Sequence, residues 1–272
     1  MAALQVVGGG RMGEALVGGL LKAGGHSLSS LTIIEPVAAR RAELETTFPG
    51  VDVADAPAAS EGTVIAVKPN DVPAACRAVA QVGSGRVLSI AAGVTIASLE
   101  ESLAPGTPVV RAMPNTPALV GLGASAIAAG SHATDEDLEW AERLLAAVGL
   151  VVRVKEPLLD AVTGLSGSGP AYVFLMVEAL IEAGVLAGLP RDVSEALTVQ
   201  TLLGSAALLS TSDDGAEALR AAVTSPGGTT AAGLRVLEQH GFRSALLEAV
   251  AAATARSREL GAGPGQPPQR PL

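Results

Sequence analysis

The feature that most limits the fold of this chain lies near its start. A strand-like run, Leu4-Gln5-Val6-Val7, opens into Gly8-Gly9-Gly10-Arg11-Met12-Gly13, and a helical pattern of Ala15, Leu16, Leu20 and Leu21 follows as far as Gly24-Gly25. Glycines spaced G-x-G-x-x-G between a strand and a helix have separate duties. Gly8 permits the tight turn, Gly10 lets a pyrophosphate approach the backbone, and Gly13 lets helix and strand pack closely. As a bare pattern the spacing is weak, and a plain glycine turn is the alternative. In strand–turn–helix order it points to a dinucleotide, with Gly8, Gly9, Gly10, Arg11, Met12 and Gly13 as the binding loop.

The next strand, Leu31 to Ile34, ends in Glu35, roughly 20 positions past Gly13, where an acid hydrogen-bonds the adenosine ribose and favours NAD. Arg40 and Arg41 follow and suit a 2′-phosphate instead, or form a solvated helix face. Thr63 to Val67 is another buried strand and runs into Lys68-Pro69-Asn70. A strand end beside the first glycine loop is where an open α/β sheet places ligand contacts. Lys68 can touch phosphate or ribose there, or simply cap the strand.

Arg86 to Ala91 and Pro108 to Ala112 read as further strands, the second leading into Met113-Pro114-Asn115-Thr116-Pro117. Two prolines around an Asn and a Thr make a stiff loop with polar tips, better suited to a site wall than to an idle connector. Ala124 to Ala128 and Leu150 to Val154 are the last expected strands, with a helix from Asp135 to Val148 between them that carries Trp140, a core or interface residue. The first half therefore alternates strand and helix, as in a mostly parallel, doubly wound α/β sheet of Rossmann type.

After Lys155-Glu156-Pro157 no strand pattern remains. Helical periodicity runs through Leu158–Thr163, Tyr172–Leu186, Val193–Leu209, Gly215–Val223 and Thr230–Leu260. The expected layout is a dinucleotide-binding domain over 1–156, an all-α domain over 157–260 and a disordered Gly/Pro/Gln-rich tail over 261–272. Ala196 to Ser212 carries no charge. A helix without a polar face wants burial on every side, so the pattern predicts a subunit interface and a homo-oligomer.

Composition removes several alternatives. Aromatic residues are only 2% of the 272, so the cores must be built from Ala, Leu and Val. A net charge of −9 argues against a nucleic-acid surface. The single cysteine, Cys76, fits a reducing compartment and reads as core filler. His26, His132 and His240 are far apart and give a metal site no support. The first residues lack a basic n-region, and the longest uncharged run, Ala112 to Thr134, is interrupted by prolines and glycines. Neither reads as a signal peptide or a membrane span, and the expected place is the cytoplasm.

One late stretch, Thr224-Ser225-Pro226-Gly227-Gly228-Thr229-Thr230, opens onto a helical pattern. A glycine-rich turn at a helix start offers backbone N–H groups and a dipole that favour a small anion such as a carboxylate. Its hydroxyls can donate or accept a hydrogen bond, but the stretch has no Lys, His, Asp or Glu for strong acid–base work. A capped loop between two helices is the plain alternative.

Taken in order, Gly8-x-Gly10-x-Met12-Gly13, Ala66-Val67-Lys68-Pro69, Met113 to Pro117, Gly164-Leu165-Ser166-Gly167-Ser168-Gly169-Pro170-Ala171-Tyr172, Thr224 to Thr230 and Gly241-Phe242-Arg243-Ser244 resemble the pyrroline-5-carboxylate reductases from residue 4 to about 260. The departure is Gly9, where the family usually has Ala; the change is expected to be harmless, although it makes the loop floppier. The resemblance implies NADPH- or NADH-dependent reduction of 1-pyrroline-5-carboxylate to L-proline, the last step of proline biosynthesis. It also implies dimers through the helical domain, often gathered into decamers. On it, Thr230 faces the ring nitrogen as the catalytic residue, and Ser225, Gly227, Gly228 and Thr229 hold the substrate carboxylate. Met113 and Asn115 form a wall near the nicotinamide, and Ala66, Val67, Lys68, Pro69 and Glu35 join the glycine loop on the cofactor. The nearest rivals, the β-hydroxyacid dehydrogenases, share the layout but need a Lys and an Asn where this chain has Val173 and Val177. The base for alcohol oxidation is missing.

Overall fold

The computed structural model describes residues 2–24 and 27–261. The expected tail beyond Gly261 and His26 lie outside the described residues. The first strands and helices are β1 (Ala2–Val7), α1 (Arg11–Lys22), β2 (Leu31–Ile34), α2 (Ala38–Thr47), β3 (Asp52–Ala54), β4 (Ser60–Ile65), α3 (Val72–Val82), β5 (Val87–Ser89), α4 (Ile96–Ser102), β6 (Val109–Met113), β7 (Gly123–Ala129), α5 (Asp135–Ala146) and β8 (Gly149–Arg153). They build one eight-stranded sheet in the order β3-β2-β1-β4-β5-β6-β7-β8. The order reverses at β1, which pairs in parallel with both β2 and β4, so the crevice beyond its carboxyl end is the place this topology reserves for a ligand.

Both faces of the sheet are covered. Leu4, Val6, Leu16, Val17, Leu144 and Leu145 pack on one side, and Val7, Ile34, Ile65, Cys76, Val79 and Leu99 on the other. Each such buried aliphatic side chain contributes about 1.5–3 kcal/mol relative to exposure. The doubly wound expectation holds, with two differences at the edges. The three-residue β3 carries too little pattern to be read as a strand. β7 runs antiparallel to β6, and β8 follows β7. The connection 114–122 is too short for the crossover of about a dozen residues that a parallel pair needs, so the chain must turn back.

Trp140 on α5 packs over Gly62, where an added Cβ would come within 2.6 Å of the indole. The Arg86 guanidinium lies 5.4 Å from the ring centroid.

The remainder is helical: α6 (Leu159–Val162), a π-helical turn (Thr163–Gly167), α7 (Gly169–Leu186), α8 (Arg191–Thr211), α9 (Ala216–Ala222), α10 (Thr229–Gln239) and α11 (Phe242–Gly261). The single helix expected over Thr230–Leu260 is two, because Gly241 turns the chain at φ +70°. The chain falls into two compact units, Met1–Ser168 with Ala251–Leu272, and Gly169–Val250. The end of α11 therefore belongs to the first unit, where the Ser257 hydroxyl donates to Asp160 at 2.7 Å.

Within the second unit, α7 and α8 lie close because Gly184 faces Ser194. A Cβ on Gly184 would come within 2.1 Å of the Ser194 hydroxyl, which donates instead to the Ile181 carbonyl at 2.9 Å. No residue of α7 is buried, and Ser194 is the buried one of α8. Phe174, Leu175, Leu197 and Leu203 are each more than half exposed. By length and composition the runs Glu156–Leu186 and Arg191–Thr211 are apolar enough to cross a membrane.

Candidate active site

The glycine loop closes the turn from β1 to α1, and each of its glycines meets a different constraint. Gly8 has φ +112°, and a Cβ there would lie 2.7 Å from the Ala66 backbone. A Cβ on Gly13 would lie 2.1 Å from the Gly8 carbonyl oxygen. At Gly10, by contrast, a Cβ would meet nothing within 4 Å. Gly10 is the N-cap of α1, and the first helical bond comes from the Glu14 N–H to the Gly10 carbonyl at 2.9 Å. The N–H groups of Arg11, Met12 and Gly13 thus have no carbonyl four residues earlier within their own helix to donate to. Open space over a helix N-terminus with unclaimed donors is what a pyrophosphate requires, so the loop fits a dinucleotide.

Glu35 follows β2 and leans over this loop. Its carboxylate accepts from the Gly9 N–H at 3.1 Å and from the Val37 N–H at 3.0 Å. Arg40 reaches the same loop from α2. Its Nε donates to the Gly9 carbonyl at 2.9 Å, Nη1 to Glu43 at 2.8 Å, and Nη2 to Glu14 on α1. The two carboxylates hold its pKa above the ordinary guanidinium value. Arg41 donates through Nη1 to the Glu35 and Pro36 carbonyls at 2.9 and 2.8 Å.

Gly9 is thus held at both its N–H and its carbonyl. A Cβ there would come within 2.4 Å of Leu44, a fully buried residue of α2. Neither Arg40 as a brace nor Leu44 as the reason for Gly9 was legible from spacing, because both act across some thirty residues of chain.

The Ala66 N–H extends the ladder to the Val7 carbonyl at 2.8 Å, which sets Ala66, Val67, Lys68 and Pro69 beside the glycine loop. Lys68 is exposed at the start of a short 3-10 turn.

Met113 and Asn115, at the end of β6, meet the π-helical turn. The Met113 methyl occupies the space over Gly167, where a Cβ would be 2.6 Å away. The Asn115 amide donates to the Ser166 carbonyl at 3.0 Å and accepts from the Ala124 N–H at 2.8 Å. Asn115 therefore braces this corner, with one amide hydrogen left for a ligand. The π-turn itself, closed by the Ser168 N–H on the Thr163 carbonyl at 2.8 Å, was signalled only by the cluster of glycines around it. Such turns are rare and concentrate at functional sites.

The Thr224–Thr230 turn lies in the second unit. Gly227 has φ +71°, and Gly228 is the N-cap of α10. The Gly228 N–H donates to the Ser225 carbonyl at 3.0 Å and so closes the turn. A Cβ on Gly228 would lie 2.5 Å from the Ser225 hydroxyl oxygen. The donors left to the turn are those of Gly227 and of the first α10 residues, Thr229 and Thr230, both of which are exposed.

Comparison with known proteins bears on both halves. Residues 156–260 match the family model described as pyrroline-5-carboxylate reductase dimerisation. Residues 3–93 match the one described as NADP oxidoreductase, coenzyme F420-dependent. A pyrroline-5-carboxylate reductase of Synechocystis sp. is 45% identical over 95% of this chain and 98% of its own. The solved pyrroline-5-carboxylate reductase of Coxiella burnetii superposes with a TM-score of 0.89 at 34% identity, covering 95% of this chain and 98% of that one. That of Plasmodium falciparum, with NADP bound, superposes at 0.82 and 31% identity, covering 96% and 98%.

Proposed function

The chain belongs to the pyrroline-5-carboxylate reductase family, and from that premise we propose how its residues divide the work. It is an oxidoreductase acting on a C=N bond, reducing 1-pyrroline-5-carboxylate to L-proline with NADPH or NADH, the last step of proline biosynthesis. The bound nicotinamide supplies a hydride to the imine carbon.

The chain's own residues have the rest to do. The iminium form of the substrate is already an electrophile, and the product amine stays protonated near neutral pH. The site therefore needs alignment and one hydrogen bond at the ring nitrogen rather than a strong acid or base. The Gly227 and Thr229 N–H groups hold the substrate carboxylate, with the Ser225 hydroxyl beside them. The Thr230 hydroxyl meets the ring nitrogen. Met113 and the remaining amide hydrogen of Asn115 wall the reacting face. Gly8 to Gly13, Glu35 and the segment Ala66 to Pro69 hold the cofactor.

One observation supports this division above the others. The Thr224–Thr230 turn ends at a helix N-terminus and carries only neutral hydroxyls and backbone donors. That set suits an anionic imine and gives no base to an alcohol.

The region 157–260 is the substrate-binding and dimerisation domain of this reading, and 1–156 the cofactor domain. The protein assembles as a homo-oligomer. Dimers form through α7 and α8, and five dimers gather into a decamer, in the cytoplasm and without nucleic-acid or membrane partners.

The direct test is loss of reduced nucleotide absorbance, at about 340 nm, with pyrroline-5-carboxylate and proline as the measured product. Failure with both nucleotides, by folded protein that binds them, would overturn the reading. Replacing Thr230 with Ala should lower turnover by about 10²-fold while nucleotide affinity stays nearly unchanged. Wild-type turnover in that variant would remove Thr230 from its role.

A further inference from the structure

We propose that the adenosine end of the site is built for a 2′-hydroxyl, so that the enzyme prefers NADH to NADPH, with Glu35 as the selecting residue and Arg40 as a positioning residue. The inference rests on the proposed cofactor site and assigns its preference.

Glu35 is the acid at the carboxyl end of β2, beside the reversal of strand order, where a bound adenosine ribose lies. Its carboxylate is fixed by two backbone donors, the N–H groups of Gly9 and Val37. Each oxygen keeps acceptor capacity for a ribose hydroxyl. A 2′-phosphate at that place would bring two to three acceptor oxygens against a carboxylate that cannot swing away without breaking both bonds.

The two arginines that α2 could offer in compensation are already engaged. All three Arg40 nitrogens are used, on the Gly9 carbonyl, Glu14 and Glu43. Recruiting Arg40 to a phosphate would strip two carboxylates of their partner and release the loop that holds the pyrophosphate. Arg41 is turned onto the Glu35 and Pro36 carbonyls. The guanidinium of Arg40 thus joins α1, α2 and the glycine loop and serves either nucleotide equally.

Leu44 completes the arrangement. Its methyl lies within 2.4 Å of where a Cβ on Gly9 would be, beside the Gly9 N–H that donates to Glu35.

The test measures equilibrium affinity for NAD+ and NADP+ by calorimetry, and kcat/KM for NADH and NADPH, on the intact oligomer. The wild type should favour the nucleotide without the 2′-phosphate by about tenfold or more in both measurements. Equal affinity, or tighter NADP+, overturns the proposal. In Glu35→Gln the ratio should narrow by about tenfold, with the unfolding temperature little changed; an unaltered ratio removes Glu35 as the selector. Arg40→Ala should weaken both nucleotides alike. A loss confined to NADP+ would make Arg40 the phosphate receptor and sink the assignment. Because binding is read apart from turnover, a chain that selects NAD+ but does not reduce the imine would defeat the proposed reaction and leave the selectivity standing.

Discussion

Gly10 and Gly13 look alike in the sequence but are glycine for different reasons, and two single substitutions separate them. A methyl at Gly10 enters open space, so Gly10→Ala should leave the unfolding temperature almost unmoved while it obstructs the pyrophosphate and weakens nucleotide binding. A methyl at Gly13 meets the Gly8 carbonyl at 2.1 Å, and both groups belong to the backbone. Gly13→Ala should therefore cost about 1–3 kcal/mol of stability as well as affinity. Thermal unfolding and a nucleotide titration on each variant check the pair; equal melting temperatures for the two would contradict it. The duties of these glycines were legible because spacing alone carries them. Gly9 shows the limit of that legibility. Its need for a missing side chain comes from Leu44, and its rigidity from Glu35 and Arg40, all remote in the chain. The Gly228 N–H is a second case: whether a turn donor faces a ligand or closes the turn depends on a local φ/ψ choice that residue type permits either way.

Most elements were readable because period and punctuation agree. β1 and β2 are short, mostly apolar runs that end at Gly8 and Glu35, and α8 continues as a long uncharged run after Glu195. The division of the last helix at His240-Gly241 had a signal, a glycine that can take the left-handed conformation, but apolar periodicity continues on both sides and hides it. The reversal of β7 had none in its own residues; it is imposed by the length of the preceding connection. Helix α3 allows an elemental prediction. It buries Cys76 completely under the sheet, and that burial pushes the thiol up to about 11, with Arg77 pulling it down less. An ordinary thiol titrates near 8.5. Between that value and the raised one, the unfolded chain loses the proton and the folded chain keeps it, so the stability from this group is full below the ordinary pKa and is lost as pH rises through the folded value. Native protein at mildly alkaline pH should react with iodoacetamide many times more slowly than protein in denaturant. Equal rates would mean that α3 opens freely from the sheet.

At the scale of the whole molecule, α7 and α8 leave an apolar surface uncovered. Phe174, Leu175, Leu180, Leu197 and Leu203 are all at least 47% exposed in a single chain. Solitary exposed leucines are ordinary on a protein surface, but a run of them on two adjoining helices marks a place where another chain sits. The same length and apolarity would serve a membrane span, so composition alone does not choose between lipid and protein. The match of 156–260 to a family model described as pyrroline-5-carboxylate reductase dimerisation favours a second copy over lipid. Burial in a partner makes folding stability depend on protomer concentration, because unfolding then releases separate chains. The unfolding temperature should rise with protein concentration, and light scattering should find no monomer at micromolar concentration. Leu203→Lys sets a charge on the uncharged stretch of α8 and should lower the apparent mass while leaving the sheet, and nucleotide binding by its glycine loop, largely intact. An oligomer of unchanged mass would place the interface elsewhere than on α8.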